Sequence, residues 1–90
     1  MTSADPLDVP NGKMSRTHAI RTADDLGTSL RAARKARGLR LEDVALAAGV
    51  GIRFLSELER GKASVRLEET LRVITALGVR LELEDPDAGG

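Results

Sequence analysis

The chain of 90 residues contains no cysteine, no tryptophan and no tyrosine, and it has one histidine and one phenylalanine. Without cysteine it has no disulfide framework, no thiolate metal site and no thiol nucleophile. The lone histidine, His18, has no carboxylate at helical spacing, so no serine–histidine–aspartate triad or metal site can be assembled around it. We therefore expect no enzymatic activity, no metal and no cofactor.

Long apolar runs are also missing. No segment approaches the length of a membrane span or of a signal-peptide core. The absence of cysteine suits a reducing compartment, so we expect a cytoplasmic protein without a membrane partner. Ninety residues support one small domain. Because Phe54 is the single aromatic residue, its core must be aliphatic.

The net charge is zero, but the charges are unevenly distributed. Residues 1–12 sum to −2, residues 13–66 hold twelve Lys/Arg against six Asp/Glu and sum to +6, and residues 67–90 sum to −4. Local potential steers a charged partner more than the molecular sum does. The basic block predicts an anionic partner, and the alternative is that solvated helix faces happen to be basic.

The basic block encloses two short helical patterns, residues 41–48 and about 52–60, joined by a very short turn. Helices meeting across such a turn cross steeply, so their closest contact needs a small side chain, and Ala45 is placed to provide it. Gly49 lies where the first helix must end in a left-handed residue. This spacing is typical of a helix-turn-helix, whose second helix lies in the DNA major groove. The alternative is an ordinary helical hairpin.

Two further helices are predicted around this motif. The first runs from about Ala23 to Arg37, with Thr22 as its N-cap. Another runs from about Leu67 to Leu77. The residues predicted to be buried are Leu26, Leu30 and Ala33 in the first helix, and Leu67, Leu71, Ile74 and Leu77 in the last. Residues 1–20 are interpreted as a flexible arm, 21–78 as the DNA-binding domain, 79–85 as a strand and 86–90 as a loose tail.

Residues 79–84 alternate strictly between apolar and charged side chains, which predicts a half-buried strand. A lone strand leaves unpaired backbone groups and needs a partner. Residues 18–21 are a weak internal candidate, and the same strand of a second copy across a two-fold axis is the simpler solution. We therefore predict a homodimer whose interface contains Val79, Leu81 and Leu83.

Residues 26–79 resemble the Cro/C1-type (XRE) helix-turn-helix family, and residues 49–62 are most similar to HipB-like antitoxins. The residues that carry the resemblance are Leu26-Gly27, Arg34, Arg37-Gly38-Leu39, Val44-Ala45, Ala48-Gly49-Val50, Leu55-Ser56, Leu58-Glu59-Arg60-Gly61-Lys62 and Leu77-Gly78-Val79. The resemblance implies an all-α, lambda-repressor-like bundle of four to five helices with a short C-terminal β-strand in an intermolecular sheet. It further implies a nucleoid-associated dimer that binds operator DNA, represses its own operon and holds a HipA-like kinase toxin in check.

Two residues depart from the family pattern. Leu41 opens the second helix where related repressors favour a polar, phosphate-binding residue, and Arg40 before it is a possible replacement. Gly51 stands where Ser or Thr usually caps the recognition helix. Glycine is a tolerable N-cap without a hydroxyl, so backbone amides remain as the anion site there.

Base-reading residues are expected in the first two turns of the recognition helix. They are Ile52, Arg53, Phe54, Ser56 and Glu57. The planar fork of Arg53 matches O6 and N7 of guanine. Phe54 either contacts a thymine methyl group or fills the gap beneath the second helix, and Glu57 either accepts from a cytosine amine or orients Arg53.

Phosphate contacts are expected around the motif, where they set affinity and register without reading sequence. The predicted groups are Arg31, Arg34, Arg40, Gly51, Arg60, Lys62 and Arg66. The family resemblance also implies that Arg34 pairs with Glu59 and braces the recognition helix. The alternative for that pair is two solvated surface charges.

Two other functions remain open at this point. A module that contacts only protein would use the acidic C-terminal face alone. A free-standing repressor would bind DNA without a toxin partner. The basic block and the exposed position predicted for Arg53 favour a DNA-binding protein over the first of these.

Overall fold

A computed structural model describes residues 17–87 of the chain. Most of the predicted flexible arm, and residues 88–90 of the predicted loose tail, lie outside these residues. The described part contains four α-helices: α1 Ala23–Ala36, α2 Leu41–Ala48, α3 Ile52–Glu59 and α4 Leu67–Leu77. The prediction of an all-α bundle is confirmed, with four helices in residues 17–87.

Helix α1 begins at the predicted cap. The Thr22 hydroxyl accepts a hydrogen bond from the Asp25 N–H at 3.0 Å, and the Asp25 carboxylate accepts from the Thr22 N–H at 3.1 Å. The N–H of Arg21 adds a third bond to that carboxylate at 2.9 Å. The backbone hydrogen bond from Arg21, followed by those from Thr22, lowers the pKa of Asp25 below its ordinary 3.8. These bonds satisfy amides that the helix itself leaves unpaired.

The turn between α2 and α3 has the predicted left-handed glycine. Gly49 has a φ of 72° directly after the last residue of α2. The following residue, Val50, donates its N–H to the Ala45 carbonyl at 3.0 Å, which closes the end of the helix. Ala45 is buried at the crossing, as the motif requires. The turn therefore fixes the angle at which α3 leaves α2.

The core is aliphatic and is shared by all four helices. Helix α2 packs on both α3 and α4, and α1 packs on the same two helices. Phe54 lies at the edge of this core, half-buried, and packs against it. The buried apolar residues are Leu30, Val44, Ala45, Ala48, Leu55, Leu58, Val73, Ile74 and Leu77.

The predicted buried face of α4 was partly wrong. Leu67 is 68% exposed and Leu71 is 42% exposed, whereas Thr70 and Val73 are buried. The core therefore takes the row of α4 that starts at Thr70, rotated from the row that starts at Leu67. Burial of Thr70 is possible because its hydroxyl donates to the Arg66 carbonyl at 2.7 Å.

The predicted C-terminal strand was also wrong for the described chain. Residues 79–85 pair with no other segment of residues 17–87, and residues 18–21 carry no strand either. A strand is defined by its ladder of hydrogen bonds, and the Val79 N–H is used instead to close α4 on the Ile74 carbonyl at 3.3 Å. Alternation of apolar and charged residues thus marks an extended amphipathic segment here without a partner strand.

A close approach of α1 to the end of α3 sets the position of the recognition helix. Gly27 is buried, and a Cβ atom added there would lie 2.7 Å from the Glu59 carbonyl oxygen and closer still to that of Leu58. Backbone atoms cannot rotate away as a flexible side chain can. Glycine therefore lets the two helix backbones touch at this point.

Candidate nucleic-acid interface

The recognition helix α3 presents the first of its two turns to solvent. Leu55 and Leu58 hold its inner face against the core, while Ile52 is exposed and the Arg53 side chain is 91% exposed. The helix starts after Gly51, which has an extended backbone and no side-chain cap. Its first N–H groups are thus not covered by a capping side chain, an arrangement that suits an anion.

Phe54 and Ser56 of α3 are half-buried. Phe54 lines a surface cavity of about 330 Å³ together with Val65 and Lys62. The choice between the two predicted roles of the half-buried Phe54 stays a prediction. The Ser56 hydroxyl accepts a hydrogen bond from Arg60 Nη2 at 3.1 Å, so the two predicted DNA-contacting residues touch each other.

Glu57 holds two of the predicted DNA-contacting cations. Its Oε1 accepts a hydrogen bond from Lys62 Nζ at 3.1 Å, and its Oε2 lies 3.5 Å from Arg53 Nε. The hydrogen bond from Lys62 is the main cause that lowers the pKa of Glu57 below its ordinary 4.5. The prediction that Glu57 orients Arg53 is compatible with this geometry, while the contact with Lys62 was not anticipated.

Arg34 and Glu59 form a buried, two-pronged ion pair between α1 and α3. Arg34 Nε donates to Glu59 Oε2 at 2.7 Å and Nη2 donates to Oε1 at 3.0 Å. The two side chains are only 10% and 5% exposed. The hydrogen bonds that Arg34 donates to Glu59 raise the pKa of Arg34 above its ordinary value. Such bidentate geometry combines charge with fixed orientation.

The third prong of Arg34 reaches the turn after α1. Its Nη1 donates to the Leu39 carbonyl at 2.8 Å. Because each of its three nitrogen atoms already has an internal partner, Arg34 is positioned to hold the recognition helix, and little of it is available to a phosphate. The pair is thus an internal link and not two solvated surface charges.

The other predicted phosphate-binding cations lie at the surface, several of them in weak ion pairs. Arg40 donates its N–H to Asp43 at 2.9 Å, and its Nη2 lies 3.4 Å from the same carboxylate. Arg66 Nη1 lies 3.7 Å from Glu69. Exposed pairs of this kind are worth about 0–1 kcal/mol and are easily exchanged for other anions. Arg31 is exposed on α1.

The residues predicted for the dimer interface differ in exposure. Val79 is half-buried and packs against the core, Leu81 is half-exposed, and Leu83 is 97% exposed. Leu81 and Leu83 are therefore the exposed members of this predicted set.

Sequence reasoning missed three features of the site: the close approach at Gly27, the Leu39 carbonyl that receives Arg34, and the tie between Glu57 and Lys62. The last could have been found from the spacing, since a residue five positions on lies just past the end of α3 and can turn back to it. Within residues 17–87, no cluster of three or more potential metal ligands is seen, and no helix is both long and apolar enough to cross a membrane.

Comparison with known proteins identifies relatives with this geometry. Residues 25–86 match a family described as helix-turn-helix domain. The uncharacterized HTH-type transcriptional regulator y4mF of Sinorhizobium fredii is 37% identical over 67 residues, which cover 74% of this chain and 88% of that protein.

Solved structures with this fold include HipB and a restriction-modification controller protein. HipB in a complex with the O4 20mer aligns with a TM-score of 0.72 and 17% identity, covering 79% of this chain and all of HipB. HipB in the HipA-HipB-O2-O3 complex aligns with the same values. The controller protein C.AhdI of Aeromonas hydrophila aligns with a TM-score of 0.60 and 33% identity, covering 64% of this chain and 88% of the controller. Helix geometry, family match and relatives agree, and the chain belongs to the Cro/C1-type (XRE) helix-turn-helix family of transcriptional regulators.

Proposed function

We propose that this regulator is a repressor that binds double-stranded operator DNA sequence-specifically as a homodimer, with α3 of each copy in a major groove. The observation that supports it most is the asymmetry of α3. Its far end is held by Arg34 and Gly27, whereas its first turn exposes Ile52 and Arg53. A rigid scaffold that presents an exposed arginine fork suits the reading of guanine.

Cations next to this turn supply the phosphate contacts. Lys62 and Arg66 line the same surface cavity as Phe54, directly beside the recognition helix. We assign them, with Arg40, Arg60 and Arg31, to the DNA backbone. The Gly51 end of α3 supplies backbone amides for a further phosphate. On this assignment, removing Lys62 makes the salt slope of operator binding shallower by about one.

The decisive experiment is titration of the protein with DNA from upstream of its own coding sequence, compared with a shuffled duplex of the same length. Arg53→Ala should cost about 1–3 kcal/mol on the upstream DNA and act at one base position. Lys35→Ala is a matched control, because it removes an exposed cation of α1 outside the proposed interface. An equal loss of affinity for all DNA sequences would make Arg53 a phosphate contact. If the wild-type protein shows no preference for the upstream DNA, the proposed repressor function is refuted.

Dimerisation is proposed through the apolar side chains of residues 79–83. Leu81 and Leu83 alternate with charged residues, so the two leucines lie on the same side of the segment, and both are exposed. Association of two copies through these leucines would remove their apolar surface from water. Two recognition helices on one symmetric dimer would match a two-fold symmetric operator. Leu81→Ser with Leu83→Ser should yield a monomer by sedimentation. A wild-type mass of one chain at micromolar concentration would contradict the proposal.

We further propose that the regulator is an antitoxin that neutralises a HipA-like kinase toxin and represses the operon encoding both. Support comes from the fold shared with HipB, including HipB in a complex with HipA. Co-expression with the product of the adjacent gene tests this directly. Co-purification of a kinase whose activity falls on binding would support it. An adjacent gene that encodes no kinase would leave a free-standing repressor.

A further inference from the structure

Glu57 is a carboxylate of the recognition helix with both oxygens occupied by cations. One oxygen faces Lys62 at 3.1 Å and the other faces Arg53 at 3.5 Å, while the Glu57 side chain itself is 27% exposed. The three side chains together carry a charge of +1 instead of the +2 that the two cations would present alone. Glu57 therefore reduces the positive charge at the DNA-facing end of the molecule.

Lys62 is tied to Glu57 twice. In addition to the side-chain bond, the Lys62 N–H donates to the Glu57 carbonyl at 3.0 Å, closing the turn after α3. The backbone bond fixes the position of Lys62, and the side-chain bond directs its ammonium group at the carboxylate. A DNA phosphate can recruit this ammonium group only by competing with Glu57.

That competition depends on the DNA sequence. If a phosphate takes Lys62, Glu57 keeps its negative charge beside a polyanion and loses a hydrogen-bond donor, which is unfavourable. The amino group of cytosine in the major groove is a donor that glutamate can accept from. A duplex that places a cytosine at this point compensates Glu57 for the loss of Lys62.

We propose that Glu57 is a specificity-determining residue, which withholds Lys62 from DNA phosphates until a cytosine amino group replaces the lysine as its partner. The inference rests on the proposed DNA-binding function and deepens it. It predicts that Lys62 contributes to operator binding and contributes little to binding of random DNA. Since Lys62 lowers the pKa of Glu57, the carboxylate stays charged throughout the pH range of a binding assay.

The test compares wild type, Glu57→Gln, Lys62→Gln and the double variant on random duplex DNA and on the upstream DNA over a salt series. Glu57→Gln should bind random DNA more tightly by up to about five-fold, which is the upper end of what an exposed ion pair is worth. Its salt slope on random DNA should steepen by about one, because one more cation displaces a counterion. In the Lys62→Gln background both effects should be clearly smaller, because Arg53 is then the cation that Glu57 still restrains.

Glu42→Gln is the matched control, because it removes the same charge from the first turn of α2 without releasing Lys62. A gain on random DNA that is equal for Glu57→Gln and Glu42→Gln would overturn the inference, as would a gain that is undiminished in the Lys62→Gln background. Far-UV circular dichroism of each variant establishes that it is folded. Failure of the proposed function is recognised separately, because wild type would then show no preference for the upstream DNA before any variant is compared.

Discussion

Replacing Glu59 by leucine removes one half of the buried ion pair that joins α1 to the recognition helix. The substitution leaves Arg34 Nε and Nη2 without their acceptors at a site where the arginine side chain is 10% exposed. Leaving one charge of a buried pair uncompensated costs about 3–5 kcal/mol. Small domains have a total stability of about 5–15 kcal/mol, so this loss would consume much of the free energy of unfolding.

Urea unfolding followed by far-UV circular dichroism measures this loss, since the chain has no tryptophan and residues 17–87 fold into four helices. With an m-value of about 1 kcal/mol/M, the midpoint should fall by about 3 M or more. The double variant Arg34→Met with Glu59→Leu should recover most of the stability, because an apolar pair of similar volume needs no charge compensation.

Glu69→Leu is the comparison for this experiment. Glu69 pairs with Arg66 and Arg72, whose side chains are 82% and 47% exposed, so its removal should cost no more than about 1 kcal/mol. If Glu59→Leu costs as little as Glu69→Leu, the reasoning about burial is refuted. If the double variant is as unstable as the single one, lost packing rather than an isolated charge is the cause.

Three more predictions concern stability. Gly27→Ala should destabilise the domain by about 1–3 kcal/mol in urea, since the clash with the backbone of α3 outweighs the roughly 1 kcal/mol that alanine gains in a helix. Because the pKa of Asp25 lies below 3.8 in the fold, the stability that it provides is present at neutral pH and is lost as the pH falls below 3.8; acid titration of Asp25→Asn should lack this component. Leu67→Gln should change stability by about 0.5 kcal/mol at most, whereas Leu77→Ala should cost about 2–5 kcal/mol, and equal effects would contradict the observed face of α4.

Helix positions could be predicted from the sequence because their ends are marked by local chemistry. The Thr22 cap and the left-handed Gly49 act within a few residues of themselves, so their effect can be read from neighbours in the chain. The bounds of α2 and α4 agree with the predictions, and α1 ends one residue before the predicted Arg37.

Features that depend on contacts between distant segments could not be read in this way. The sequence alone does not decide whether the row of α4 that starts at Leu67 or the row that starts at Thr70 faces the core. That choice is made by packing against α2, which is distant in the chain. The role of Gly27 depends on two carbonyl groups more than thirty positions away in the chain. The missing strand has the same origin, because alternation reveals an amphipathic segment and says nothing about its partner.

Gly27 and Arg34 of α1 contact α3 at its last turn. Helix α1 therefore sets the orientation of the helix whose first turn carries Arg53. If α3 moves as a rigid helix, a substitution on α1 that tilts α3 displaces Arg53, at the opposite end, by more than it displaces the last turn. On the proposed DNA-binding function, a change of operator preference therefore has two routes. One is substitution of the exposed residues on the first turn of α3, and the other is substitution on α1, which sets the position of α3.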